Sequence, residues 1–265
     1  MLPGIGVFGT GPVVKVIVPF LRSKGFKVEA IWGRTLSSAQ QAAKELDIPF
    51  FTNKIDDVLL KKEVDLIFII CSPYLHAQIA VKALGIGKHV LCDKPAGLSQ
   101  NEALKMVNAS QYYPSLISIV NHSLRFLPAF TMMRRCLRDN YIGKRVTLCD
   151  VRVQMVHGVI RTFNCETDKV KGIRRISAPD FACFQLEMEQ FFGMTDEHDE
   201  TGDHPPLLSP VATASLPRPY MKGLLKMVGA LREAFLSVED RKGWVKEPVA
   251  DAATFQDGQY VQGKT

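Results

Sequence analysis

The sequence predicts an α/β fold: a doubly wound parallel sheet followed by a truncated α+β second domain. Over the first 120 residues, short apolar runs alternate with segments of helical spacing, which is the pattern of βαβ units on a parallel sheet. A glycine-containing turn separates the first apolar run from the first helix. After residue 121 the alternation stops, and segments with one polar face follow. We therefore predict two domains, at residues 1–121 and 122–265.

The first domain is predicted to contain six strands joined by helices. The predicted strands cover residues 5–8, 27–32, 49–52, 66–71, 89–92 and 116–120. The predicted helices follow the turn at residues 9–12, ending near residue 24, and cover residues 37–46, 77–84 and 99–112. Ser37 is expected to lie near the cap of the second of these helices. Ser99 and Glu102 have the spacing of a capping box at the start of the last one.

The second domain has fewer signals. A helix is predicted over residues 129–139, strands over 145–153 and 180–188, and a further helix over 221–235. Between them, residues 193–219 are acidic and rich in proline, which is typical of a flexible segment. The last fifteen residues carry no strong pattern. We expect this incomplete domain to hold the substrate and to form the contacts of a homo-oligomer.

Composition excludes several classes of function. The chain has 265 residues, is 46% apolar and carries a formal charge of +6, which suits a folded globular protein. The basic residues occur in scattered pairs, so we predict no nucleic-acid partner. No apolar run is long enough to span a membrane, so we predict no membrane insertion. The crowded acids of residues 196–204 lack regular ligand spacing, and we predict no metal site.

The six cysteines bear on the cellular compartment. None forms a C-x-x-C pair, and Cys71 and Cys92 end apolar strand-like runs, where free cysteines commonly pack. The amino terminus has no basic residue before Lys15, unlike a secretory signal peptide. These features predict free thiols and a cytoplasmic protein.

The turn after the first strand has the composition of a phosphate-binding loop. Gly9-Thr10-Gly11-Pro12 follows a strand and opens a helix, so a diphosphate would meet backbone without Cβ atoms and then helix N–H groups. Val14 replaces the third glycine of the full fingerprint. This pattern predicts a Rossmann-type domain that binds a dinucleotide, with an ordinary βα turn as the alternative.

Arg34 follows the second strand, where NAD-binding proteins carry an acid for the ribose hydroxyls. A guanidinium without a neighbouring carboxylate suits a 2′-phosphate. We therefore expect NADP to be preferred over NAD, with an ordinary surface arginine as the alternative.

Further polar residues follow later strands of the predicted sheet. Open α/β sheets bind ligands beyond the carboxyl ends of their strands, so these positions complete the predicted cofactor site. They are Ser72, Pro73, His76, Asp93, Lys94, Asn121 and Arg125.

The sequence resembles the Gfo/Idh/MocA family of NAD(P)-dependent oxidoreductases and, within it, the animal glucose–fructose oxidoreductase domain-containing proteins. The segments that carry the resemblance include Gly6-Val7-Phe8-Gly9-Thr10, Ala83-Leu84-Gly85-Ile86-Gly87-Lys88 and Leu124-Arg125-Phe126-Leu127-Pro128. The resemblance covers residues 1 to about 188 and resumes from about 219 to 258. It implies hydride transfer between a nicotinamide cofactor and a sugar-like or cyclic alcohol or carbonyl substrate.

The resemblance also implies particular roles. The family's Glu-Lys-Pro motif stands here as Asp93-Lys94-Pro95, so Lys94 matches the catalytic lysine, which holds the substrate hydroxyl or relays its proton. A cis bond before Pro95 would direct this lysine into the cleft. His76 matches a family histidine near the cofactor. Some relatives are described as extracellular or matrix-associated, which gives a secreted location as the alternative to the cytoplasm.

The second half departs from the family pattern. Asp150 to Met155 run directly into Val156-His157-Gly158, so the glycine-rich segment and the helix that carries the family's acid/base histidine are missing. By the resemblance, His157 belongs to a following strand and does not replace it. Two hypotheses follow: an NAD(P)-dependent oxidoreductase, or a catalytically impaired nucleotide-binding or interaction protein on the same fold. A splice form, a faulty gene model and a shortened paralogue would each explain the truncation.

Overall fold

The computed structural model describes residues 2–127, 148–154, 160–166, 218–236 and 252–262, with isolated positions at 130–131, 134, 139 and 249. The chain divides into two compact units. One comprises Met1–Leu127 with Thr201–Thr265, and the other comprises Pro128–Glu200. The predicted strand over 180–188 and the Pro-rich segment over 193–217 lie outside the described residues, and the predicted helix over 129–139 is described only at isolated positions.

The first unit is built on a seven-stranded sheet of order β3-β2-β1-β4-β5-β6-β9. All neighbouring strands are parallel except β6 and β9. The predicted doubly wound parallel sheet is therefore confirmed. Its strands are β1 (Ile5–Phe8), β2 (Val28–Trp32), β3 (Phe51–Thr52), β4 (Leu66–Ile69), β5 (His89–Cys92), β6 (Ser118–Val120) and β9 (Ala253–Thr254).

Helices connect these strands and cover the sheet. They are α1 (Pro12–Ser23), α2 (Leu36–Glu45), α3 (Ile55–Leu59), α4 (His76–Gly85), α5 (Gln100–Tyr112), α6 (Arg218–Ala234) and α7 (Phe255–Gln262), with single 3-10 turns at Pro73–Leu75 and Ser123–Phe126. The apolar β1 and β4 strands are buried on both faces, as expected of central parallel strands covered by helices.

The core lies on both faces of the sheet. Ile5 and Val7 of β1 pack with apolar residues of α1 and α6 on one face. Phe8 packs with residues of α3, α4 and α5 on the other. Burial on two faces fixes the register of β1, because a shift by one residue would exchange the two sets.

Residues 218–236 and 252–262, which the sequence analysis assigned to the second domain, lie in this first unit. Helix α6 buries the side chains of Leu224, Met227, Val228 and Leu231 in the core beside α1. Strand β9 pairs antiparallel with β6. The role of residues 122–265 in substrate binding and oligomerisation remains a prediction.

Local boundaries correct several predictions. The side chain of Thr35, and not Ser37, caps α2 by accepting a hydrogen bond from the Ser38 N–H. Strand β4 ends at Ile69, two residues early. Ser99 caps α5 as predicted, but the Glu102 carboxylate accepts from the Leu98 N–H. Helix α3 and the elements at residues 253–262 had no predicted counterpart.

Apart from the isolated positions at 130–131, 134 and 139, the described part of the second unit is an antiparallel hairpin. Strand β7 (Leu148–Gln154) pairs with β8 (Ile160–Glu166), with Val151 opposite Phe163. This hairpin contains part of the strand predicted over residues 145–153.

Candidate functional site

The carboxyl ends of the parallel strands lie side by side. The register pairs Phe8 with Trp32 and with Ile69, Ile69 with Cys92, and Cys92 with Val120. The next residue of each strand therefore lies along the same edge, which we call the carboxyl edge. The predicted site residues that directly follow β1, β5 and β6 are placed along it.

At β1, the predicted phosphate turn has the shape that a diphosphate requires. Gly9 has φ +138°, and a Cβ there would lie 2.4 Å from the Ile70 carbonyl oxygen. At Gly11 an added Cβ would have no neighbour within 4 Å. Pro12 is the first residue of α1, and no side chain caps this helix. The first glycine thus lets the turn approach β4, while the second opens onto free space at a helix N-terminus, which fits a phosphate group.

At the end of β2, Arg34 is exposed next to the start of α2. Thr35, the cap, also contacts the hydroxyls of Ser37 and Ser38 at 3.2 and 2.9 Å. The first turn of α2 contains no acidic residue. This corner of the carboxyl edge therefore presents hydroxyl groups and a cation.

After β4, His76 joins two loops. Its side chain is 1% exposed, with Nδ1 2.8 Å from the Pro95 carbonyl oxygen and Nε2 3.0 Å from that of Cys71. Both ring nitrogens are therefore engaged with main chain, and the geometry gives His76 the task of holding the loops after β4 and β5 together. Ser72 is exposed and Pro73 begins the 3-10 turn between them.

After β5, Asp93 organises the loop that carries Lys94. Its Oδ1 accepts from the Lys94 main-chain N–H at 2.9 Å and from Asn121 Nδ2 at 3.1 Å. The Lys94–Pro95 peptide bond is cis, as expected from the sequence. The Lys94 side chain is exposed. Burial raises the pKa of the Asp93 carboxyl above its usual range, although its hydrogen bonds and the neighbouring cations offset part of that rise.

Two residues after β6 have different surroundings. Burial, together with the charge of Arg125, lowers the pKa of His122, so this imidazole is neutral at pH 7. Arg125, a predicted cofactor residue, donates through Nη1 to the Asp257 carboxylate at 3.0 Å and to the Ala252 carbonyl at 3.2 Å. Its observed contacts therefore attach the carboxyl-terminal elements to the sheet.

Sequence reasoning missed Tyr220 and Asp257. Tyr220 Oη accepts from Asn121 Nδ2 at 3.1 Å, and Asp257 receives Arg125 and the Thr254 N–H. Tyr220 lies 99 positions from Asn121, and Asp257 lies 132 positions from Arg125. The helical pattern of residues 221–235 was visible in the sequence, but nothing there indicated which sheet it covers.

Comparison with known proteins places the chain in a family that binds nicotinamide dinucleotides. A family model described as an oxidoreductase family with an NAD-binding Rossmann fold matches residues 4–120. The glucose-fructose oxidoreductase domain-containing protein 1 of Xenopus tropicalis is 35% identical over 346 residues, covering 98% of this chain and 88% of that protein. Protein 2 of the same name and species is 37% identical, covering 98% and 89%. The chain belongs to the Gfo/Idh/MocA family.

The relatives also show what this Gfo/Idh/MocA chain lacks. The alignment to protein 1 is 346 residues long, whereas this chain has 265. The relatives therefore carry internal segments without a counterpart here.

Among solved structures, scyllo-inositol dehydrogenase of Lactobacillus casei with bound NAD(H) and scyllo-inositol matches with a TM-score of 0.50 at 23% identity, covering 54% of this chain and 43% of that chain. This likeness shows the fold. The matched part is about half of this chain and less than half of that dehydrogenase.

Within the residues that the structure describes, no helix has both the length and the apolar character needed to cross a membrane. The same residues contain no group of three or more metal-binding side chains. The acidic residues 196–204 lie outside the described ranges.

Proposed function

We propose that this chain is an NAD(P)-dependent oxidoreductase that acts on a sugar-like or cyclic alcohol or its carbonyl form. The observation that carries the proposal is the Asp93-Lys94-Pro95 loop at the carboxyl edge, held by Asn121 and His76. It lies on the same sheet edge as the open turn at Gly11. A dinucleotide bound along this edge would have its diphosphate over the glycine turn and its nicotinamide toward the lysine.

The residues divide the work of binding and proton handling. The turn from Gly9 to Pro12 would hold the diphosphate through the main-chain N–H groups of Thr10 and Gly11, with Ser72 and Pro73 beside it. The Gly9 N–H already donates to the Trp32 carbonyl, and Pro12 has no N–H. A bound nicotinamide would supply the hydride chemistry. Lys94 would hold the substrate hydroxyl and pass its proton, while Asp93 fixes the main chain from which that lysine projects.

NADP is the proposed cofactor, with NAD as the alternative. Exposed Arg34 and the hydroxyls of Thr35 and Ser37 cluster after β2. A guanidinium pairs well with a phosphate, and the lack of an acid in the first turn of α2 removes a repulsion against the 2′-phosphate.

A second candidate is a catalytically impaired nucleotide-binding or interaction protein. The observation that favours it is the shortened second half, since the relatives contain internal segments that this chain lacks. Without the histidine-bearing helix, the lysine would lack the acid/base histidine that the family resemblance implies. This candidate shares the cofactor site and differs only in turnover.

The partners and location are also proposals. We propose a small-molecule substrate and self-association through residues of the second half. Cys71 and Cys92 are free thiols, which fits the proposed cytoplasmic location; a secreted or matrix location is the alternative. Immunofluorescence of the tagged full chain decides between these compartments.

Fluorescence titration with NADPH and NADH tests the cofactor site, and a panel of sugars and polyols tests turnover. If neither NADPH nor NADH binds, both candidate functions are contradicted. Binding without turnover selects the second. With turnover, Lys94→Ala should lower the rate by about 10²- to 10⁴-fold, the usual contribution of a general acid or base. Lys105→Ala, which alters an exposed lysine of α5, is the matched control; equal rates for the two variants would remove Lys94 from the mechanism.

Arg34→Asp tests the cofactor preference. The NADPH to NADH affinity ratio should fall by about tenfold or more, because a guanidinium–phosphate contact is replaced by a like-charge repulsion. Lys44→Asp makes the same charge change farther along α2, at an exposed position. An unchanged ratio in Arg34→Asp would exclude this arginine from the ribose site.

A further inference from the structure

Helix α6 meets the carboxyl edge at its first turns. A Cβ added to Gly223 would lie 2.6 Å from the Ser123 carbonyl oxygen, so the helix approaches the turn after β6 as closely as backbone allows. Leu224 and Val228 are fully buried below this contact. The helix start is therefore fixed against the sheet, and Tyr220 projects from this fixed turn.

A hydrogen-bonded chain runs from Tyr220 to the lysine loop. Asn121 Nδ2 lies 3.1 Å from Tyr220 Oη and 3.1 Å from Asp93 Oδ1. An ionised carboxylate only accepts hydrogen bonds, so the amide nitrogen of Asn121 must face Asp93. Both of its hydrogens are then used, one for each partner, and Asp93 in turn accepts the Lys94 N–H.

We propose that Tyr220 is a positioning residue for Lys94, acting through Asn121 and Asp93; this inference rests on the oxidoreductase function proposed above. Asn121 is 1% exposed, so an amide hydrogen that loses the tyrosine oxygen has no water to replace it. The amide would rotate, and its bond to Asp93 would weaken. Helix α6 thereby sets the geometry of a loop more than a hundred residues earlier.

The pKa of the Asp93 carboxyl responds to the hydrogen bonds that link Tyr220, Asn121 and Asp93. Its charged and titratable neighbours are His76, Lys94, Cys71, Cys92 and Tyr220. The hydrogen bond from Asn121 lowers the pKa of Asp93 against the larger effect of burial, which raises it. Loss of that bond must therefore move the pKa of Asp93 further upward.

The test compares Tyr220→Phe, Asn121→Ala and Tyr112→Phe, using NMR of carboxyl-labelled protein to follow the Asp93 pKa and amide exchange to follow the Lys94 N–H. Phenylalanine keeps the partly buried ring, and Tyr112 is 78% exposed. In Tyr220→Phe the Asp93 pKa should rise in the same direction as in Asn121→Ala, and the Lys94 amide should exchange about fivefold faster. Tyr112→Phe should change neither.

The outcomes separate this inference from the proposed function. An Asp93 pKa that rises in Asn121→Ala but not in Tyr220→Phe overturns the role of the tyrosine. Unchanged Asp93 pKa values in both variants overturn the whole hydrogen-bonded chain from Tyr220 to Asp93. Titration of the same wild-type sample with NADPH tests the oxidoreductase function: a failure to bind NADPH with the expected pKa shifts intact would refute the function and leave the hydrogen-bonded chain standing.

Discussion

The stretch of the carboxyl edge from β1 to β5 is built in opposite ways at its two ends. The turn at Gly9 and Gly11 works through missing side chains: one glycine fits against Ile70 and the other leaves open space. The loop at Lys94 works through side chains that are present, with Asn121 28 residues from Asp93 and Tyr220 99 residues from Asn121. The first end depends on local backbone geometry, whereas the second depends on contacts between distant parts of the chain.

The largest expected effect breaks the backbone end. Gly9→Ala places a Cβ 2.4 Å from the Ile70 carbonyl oxygen at a φ of +138°. Overpacking and backbone strain together should lower the free energy of unfolding by about 3 kcal/mol or more, measured by urea denaturation.

Gly85→Ala is the control for this variant, because a Cβ there meets nothing within 4 Å. Its stability should stay within about 0.5 kcal/mol of the wild type or rise slightly. A mild effect of Gly9→Ala would mean that the turn does not pack against β4 as described.

The next variant weakens the core packing of helix α6, which supports the lysine end. Leu224→Ala removes a fully buried side chain by which α6 packs in the core, and should cost about 3 kcal/mol of unfolding free energy. Lys226→Ala, at an exposed position of the same helix, should cost less than about 0.5 kcal/mol. Equal costs would show that α6 does not belong to the first unit's core.

The same contrast explains how much the sequence could predict. The glycine turn, the six parallel strands and the Ser99 cap depend on residues close together in the chain, and their patterns predicted them. The capping role of Thr35 was missed because Thr35, Ser37 and Ser38 are all good caps, and only the path of the backbone selects one.

The lysine end was predicted only in part. Asp93, Lys94 and Asn121 were identifiable because each closely follows a strand whose carboxyl end lies at one edge. Tyr220 was not identifiable, since the helical spacing of residues 221–235 reveals an apolar face and not its partner surface. Arg125 was expected at the cofactor, but its partner Asp257 lies in a region without a recognisable pattern.

A subtler variant sharpens the comparison at the open glycine. Gly11 has φ −74° and ψ 175°, which alanine adopts without strain. Gly11→Ala should therefore leave stability within about 0.5 kcal/mol of the wild type while weakening NADPH binding about tenfold, since the methyl group enters the space facing the phosphate. Fluorescence titration and thermal unfolding of one sample measure both. Unchanged affinity would mean that the diphosphate does not approach this glycine.

The smallest expected effect is a pH-dependent one at the lysine end. Burial raises the pKa of Asp93, so between the ordinary aspartate value of about 3.9 and the raised one, the folded state binds more protons than the unfolded state. The protonated Asp93 carboxyl therefore adds to the free energy of unfolding. This stabilisation is fully present below about pH 3.9 and is lost as the pH rises through the folded-state pKa. Asp93→Asn removes the free-energy cost of holding a buried carboxylate in its ionised form. It keeps an oxygen that can accept hydrogen bonds from the Lys94 N–H and from Asn121.

Asp93→Asn should therefore be more stable than the wild type at pH 7, with the difference shrinking toward pH 4, as measured by urea unfolding at both values. Asp47→Asn removes an exposed carboxylate elsewhere and should show no such pH-dependent gain. A variant less stable than the wild type at pH 7 would show that the ionised carboxylate stabilises the loop. In the expected case, the buried charge at the lysine end costs stability in the folded chain, whereas the open space at the glycine end carries no comparable cost.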